Sequence, residues 1–167
     1  MPRVAYGATM IILGIDPGPE KCGVALYDTD ECRALFADSG TPVELVLERI
    51  DRSLAMVDLV VVERVQSYGI AGGSLLRTAE VCGRFQQKAL DVGLEVLLIY
   101  RRQVLRDLDV TGKGNRDSLV RHRLIEIHGG TREVACGKKS CPGPLYGVSG
   151  HAWQALGALY AVHLEIS

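Results

Sequence analysis

Regular patterning begins at Met10. Ile11 to Ile15 is an unbroken apolar run that closes on Asp16, and the turn DPGPEKCG follows. Short apolar runs bounded by Pro and Gly read as buried strands. Val24–Tyr27 and Arg33–Ala37 have the same character and are joined by the acidic turn DTDE, so residues 11–37 predict an antiparallel three-stranded meander. Thr41-Pro42 then predicts a helix start, with Thr as the cap and Pro in the first turn. Val43, Val46, Leu47, Ile50 and Leu54 recur at helical spacing and give that helix an apolar face.

Leu59–Val62 is a fourth apolar run and, like the first, it closes on a carboxylate, Glu63. The Gly-rich SYGIAGG loop leads into a helix over 74–92. EVLLIY is the fifth strand, ending at Tyr100, and RRQVLRDL a short helix. Asn115, after TGKGN, is the expected N-cap of a helix running to His128, which Gly129-Gly130 terminates. CGKKSCPGPLYGVSG reads as a loop. An amphipathic helix follows over 150–164, with Trp153, Leu156, Tyr160 and Leu164 turned to the core.

This order predicts an α/β fold: a five-stranded mixed sheet, three strands antiparallel and two parallel, with helices on both faces. At 167 residues the chain is expected to form one domain over 10–167, with 1–9 a flexible extension that lacks the apolar centre of a signal peptide. No uninterrupted apolar run of about 18 residues is present, so no membrane span is expected and the location is read as cytoplasmic. Five cysteines, an odd number scattered along the chain, argue against a disulfide framework. Cys136 and Cys141 lack a second Cys/His pair at zinc-ligand spacing and read as spectator thiols. The net charge of −1 hides an asymmetry: residues 101–139 hold ten Lys/Arg against five Asp/Glu, the remainder nine against fifteen. Such a basic segment is either a phosphate-binding edge or a solvated helical surface.

The two carboxylates carry the chemistry. If the first and fourth strands are neighbours, Asp16 and Glu63 lie side by side, and two such acids do not both ionise without a cation between them. Hard oxygen ligands suit Mg²⁺ or Mn²⁺, which can activate water for phosphodiester hydrolysis. The plainer alternatives are that Asp16 is a turn former and that Glu63 pairs with Arg64. A further ligand is offered by SGHAWQALGAL, with His151 in the first turn of the last helix and Gln154 one turn on. A neutral imidazole there can bind metal or accept a proton, although a surface cap is the plainer reading for a lone His.

The ordered set GIDPG, VVERVQSYG, a basic loop and GVSGHAWQALGAL resembles the RuvC-type Holliday junction resolvases over nearly the whole chain. GRF at 83–85, GKGN at 112–115 and KKSCPGPLYGV resemble their compact phage and prophage branch. The resemblance implies an RNase H-like fold and a homodimer. It also implies Mg²⁺- or Mn²⁺-dependent nicking of two opposed strands in four-way branched DNA, without a nucleotide cofactor. By position it makes Asp16, Glu63 and His151 metal ligands and adds Gln154 to the catalytic set. Bacterial members carry a second carboxylate where this chain has Gln154, so weaker metal affinity is expected. Asp117 offers a further carboxylate, although a first-turn acid of its helix is the better reading. For DNA contact the expected residues are Gln66, Ser67 and Tyr68 past Glu63; Arg84; Arg101 and Arg102 after the fifth strand; Lys113, Asn115 and Arg116; and Lys138 and Lys139. The helix over 74–92 is the expected dimer contact. Rival readings are an RNase H-like nuclease for another branched or hybrid substrate, and a catalytically weak junction-binding protein. An actin-like kinase or ATPase, suggested by GIDPG alone, needs at least twice this length.

Overall fold

The computed structural model describes residues 9–166 except 53, 54, 68, 71 and 113. Its elements are β1 (Ile11–Asp16), β2 (Lys21–Asp28), β3 (Arg33–Pro42), α1 (Val43–Arg52), β4 (Leu59–Arg64), α2 (Gly73–Asp91), β5 (Glu95–Tyr100), α3 (Arg101–Asp107), α4 (Arg116–Ile127), α5 (Arg132–Ala135), β6 (Gly137–Lys138), β7 (Cys141–Pro142) and α6 (Ala152–Ile166).

Five strands form one sheet in the order β3-β2-β1-β4-β5. β1, β2 and β3 pair antiparallel, while β4 and β5 continue the sheet parallel to β1. The sheet therefore has the expected mixed composition. Side-chain alternation along the strands separates two cores. Ile12, Ala25, Tyr27, Leu59, Val61 and Ile99 pack with α3, α4 and α6. Leu13, Ile15, Val24, Val60 and Val62 pack with α1 and α2 on the other face.

Three expectations need correction. β3 runs on to Pro42, and α1 starts at Val43. Thr41 is not its cap: its buried hydroxyl donates to Asp38 Oδ2 at 2.6 Å, and the Val43 N–H is satisfied by the Glu20 carbonyl. Leu54, expected on the apolar face of α1, lies outside the described residues. The predicted loop over 136–150 contains a small β6–β7 hairpin, preceded by the one-turn α5. Just beyond it, the Pro144 carbonyl accepts from Ala34 N–H on β3, so this segment covers part of the sheet edge. Finally, α6 is not amphipathic. It is buried all round from Ala152 to Val162, because the sheet lies on one side and α3 and α4 on the other, and Leu164 is exposed.

Candidate metal centre

β1 and β4 run parallel with Ile15 opposite Val62, so the next residues, Asp16 and Glu63, stand together at the same end of the sheet. The two-residue period turns both toward α6, since Gly14 faces Ala155 and Val61 lies in the core beneath that helix. Two glycines then bring α6 down. A Cβ on Gly14 would stand 2.3 Å from the Ala155 carbonyl oxygen, and one on Gly23 would stand 2.3 Å from that of His151. Only a residue without a side chain admits backbone so close. Gly23 pairs with Asp16 across β1 and β2, so this contact carries His151 to the carboxylate. His151 Nδ1 lies 3.3 Å from Asp16 Oδ2.

Asp16 and Glu63 are mostly withdrawn from solvent, with side chains 21% and 13% exposed. Burial pushes Asp16 up to about 6, against the pull of His151 and then Arg101. It pushes Glu63 up to about 7, against the pull of Arg101 and with a further push from Asp16 and Asp117. Both carboxyls are held in readiness for a positive partner. Glu63 finds one in Arg101, whose guanidinium lies 3.4 Å from Glu63 Oε2 and also forms a close ion pair with Asp117 Oδ1. The pairing of Glu63 with Arg64 does not form among these contacts; the Arg64 guanidinium lies over the ring of Tyr100 at 5.4 Å. Gln154 is buried, and among the described residues its Oε1 has no hydrogen-bond partner.

A cavity of about 290 Å³ opens at these acids and is lined by Asp16, Pro17, Glu63, Arg64, Val65, Gln66, Leu75, Arg101, Arg102 and Arg116. Arg102 and Arg116 also line an adjoining cavity of about 320 Å³, together with Arg106. The structure thus brings Gln66, Arg101, Arg102 and Arg116 to the acids. Asn115 sits beside them as the N-cap of α4, its side chain accepting from the Asp117 and Ser118 N–H groups. Ser67 is turned into its own loop, donating to the Gly69 carbonyl. Arg84 is not at the site: it is paired with Glu44 of α1 at 2.7 Å, in the helix layer across the sheet from α6. Lys138 and Lys139 are exposed on the β6–β7 hairpin and do not line the cavity at Asp16. Tyr68 and Lys113 lie outside the described residues.

The sequence did not show one contact of the site. Asp117 is a first-turn acid of α4, as expected, and it also pairs with Arg101, whose guanidinium reaches Glu63. The signal for Arg101 lay in strand register. Glu63 stands opposite Ile99, so the first residues past β5 must fall near that acid.

Among the described residues, no group of three or more His, Cys, Asp or Glu side chains closes on a common metal-binding point. Arg101 supplies the positive charge instead. The donor chemistry nevertheless suits a hard divalent ion, with two desolvated carboxylates and an imidazole nitrogen, while the unpartnered Gln154 lines a separate cavity with Asn115, Asp117, Ser118 and Arg121.

No protein-family profile and no curated protein matches the sequence. Solved structures do match. Thermus thermophilus RuvC in complex with a Holliday junction substrate is 21% identical, with a TM-score of 0.58 and 93% of each chain covered. A second T. thermophilus RuvC structure is also 21% identical, with a TM-score of 0.55, covering 93% of this chain and 94% of that one. The likeness is one of fold: this chain has the RNase H-like architecture of those structures.

Proposed function

We propose that this chain is a divalent-metal-dependent endonuclease that resolves four-way DNA junctions by paired symmetric nicks, acting as a homodimer in the cytoplasm of a bacterial or phage-infected cell. The observation that carries this reading is the placement of Asp16 and Glu63, both desolvated, at one end of two parallel strands with His151 against Asp16. Asp16, Glu63 and His151 would hold Mg²⁺ or Mn²⁺, and Gln154 would offer a neutral oxygen. A bound ion supplies an activated water and charge stabilisation for the leaving oxygen of a phosphodiester.

The other residues serve the substrate. Arg102 and Arg116 line both adjoining cavities and give a backbone phosphate a continuous cationic wall. Gln66 reaches the same cavity from beyond β4. Leu76 and Leu90 are exposed on α2 and supply an apolar surface for a second copy. The likeness to RuvC bound to a Holliday junction supports the choice of substrate, and GRF, GKGN and KKSCPGPLYGV support the compact phage branch. Two observations favour a second reading, a junction binder with little turnover: Arg101 stands on Glu63, and Gln154 stands where bacterial RuvC-type resolvases carry an acid.

A nicking assay separates the readings. Substrates are a synthetic four-way junction, a splayed duplex, an RNA–DNA hybrid and plain duplex, each with Mg²⁺ and with Mn²⁺, and Asp16→Asn is the control. Paired symmetric nicks confined to the junction, lost in Asp16→Asn with binding retained, are expected. Junction binding without nicks in either metal would establish the second reading. Cleavage of the hybrid or splayed duplex alone would keep the chemistry and change the substrate.

A further inference from the structure

We propose that Arg101 is a built-in competitor of the divalent ion, a guanidinium that holds Glu63 and Asp117 in the metal-free protein and lowers the site's affinity for metal. The inference rests on the metal-dependent reading above and deepens it, by naming the residue that sets how readily the site loads.

The placement of Arg101 is fixed by the chain around it. β5 delivers it beside Glu63, because Ile99 stands opposite that acid in the parallel ladder. The start of α3 is locked by the Gln103 side chain, whose Oε1 accepts from Tyr100 N–H at 3.0 Å. From that anchor the guanidinium divides between two acids on different elements, Glu63 on β4 and Asp117 on α4. Its side chain is 24% exposed and that of Glu63 13%, so the pair is shielded from the bulk water that weakens surface ion pairs. A guanidinium is charged at every working pH and cannot leave the site by losing a proton.

An incoming ion needs the oxygens that Arg101 already engages. Glu63 would be shared between two cations, and their mutual repulsion opposes occupancy. Asp16 is differently partnered, by His151, a side chain that can itself ligate. The competition therefore falls on Glu63.

The test is calorimetric titration with Mn²⁺ at pH 8, without DNA, on the full chain and three variants. Arg101→Gln keeps hydrogen-bonding capacity without charge and is expected to bind Mn²⁺ about tenfold tighter than the parent. Arg101→Lys keeps the charge but not the fork, and is expected to fall between the two. It also serves if the Gln variant does not fold. Asp16→Asn is expected to bind little or none. Measurable binding by the parent with unchanged or weaker binding by folded Arg101→Gln and Arg101→Lys overturns the competition and leaves the nuclease reading standing. An absence of Mn²⁺ binding in the parent and in every Arg101 variant overturns both.

Discussion

His151 Nδ1 stands 3.3 Å from Asp16 Oδ2, and no side chain sets that separation. It follows from Asp16 pairing with Gly23 across two strands, and from Gly23 admitting the His151 carbonyl where a Cβ would collide. The imidazole is thereby delivered to the acid by main chain against main chain. Several consequences of this construction are measurable.

Stability of the metal-free protein should fall as pH rises. Asp16 and Glu63 have folded-state values of about 6 and about 7, above their ordinary 3.8 and 4.5. Between those limits the native state holds protons that the unfolded chain has released, so raising pH favours unfolding. The stability these groups contribute is fully present below about pH 4 and lost as pH passes about 7. Burial holds His128 and His163 below their ordinary value, which works in the opposite sense, so the comparison must be with a variant that keeps them. In chelator, Asp16→Asn/Glu63→Gln should lose less in Tm than the parent between pH 5 and pH 8, by roughly 5 °C. Parallel slopes would refute the assignment.

Gly14→Ala should be severe. Its Cβ would meet the Ala155 carbonyl oxygen at 2.3 Å and Leu159 Cδ2 at 2.7 Å, and backbone cannot step aside as a flexible side chain can. A loss of about 3 kcal/mol is expected in urea unfolding. Nicking should fall with it, since α6 is lifted away from Asp16. A variant of parental stability would show that the helix sits less closely than described.

Tyr27→Phe should separate stability from chemistry. The Tyr27 hydroxyl lies 2.8 Å from His128 Nε2 in the core, and the other ring nitrogen of His128 meets the Leu124 carbonyl at 2.8 Å. Removing the hydroxyl leaves Nε2 buried without its partner, at a cost of about 1–3 kcal/mol. Tyr27 pairs with Ile12, at the other end of β1 from Asp16. Nicking per folded molecule, measured well below the new Tm, should be unchanged.

Gln154→Met should exchange function for stability. The substitution removes a buried oxygen that has no partner among the described residues while nearly keeping its volume. In chelator, Tm should rise by about 3 °C. The nicking rate should drop by roughly tenfold or more if that oxygen supports the metal site. A stabilised variant of full activity would make Gln154 a core residue only.

The sheet and its acids were legible because strands announce themselves by apolar runs, and a carboxylate closing such a run is conspicuous. Parallel pairing of β1 with β4 then brings Asp16 and Glu63 together with no further information. Asn115 was legible as a cap because its role is local. Thr41 was misread for a tertiary reason: a cap and a strand-end threonine look alike until Asp38 claims the hydroxyl. α6 was misread because amphipathicity presumes a solvent face, and a helix covered by α3, α4 and the sheet has none. Arg101 and Arg84 are alike in type, and neither pairs with a neighbour in its local sequence. Only the fold decides that one reaches Glu63 and the other Glu44.

The division of the core into two layers has a consequence for how such a chain can change over time. The acids, His151 and Gln154 belong to the layer beneath α6, while α1 and α2 pack on the far side of the sheet. Leu75, at the start of α2, lines the cavity at the acids, whereas substitutions on α1 and farther along α2 are felt there through the strands. The outward faces of α1 and α2 and the cluster of acids are thus free to diverge at different rates, one altering its surface while the other keeps its dimensions.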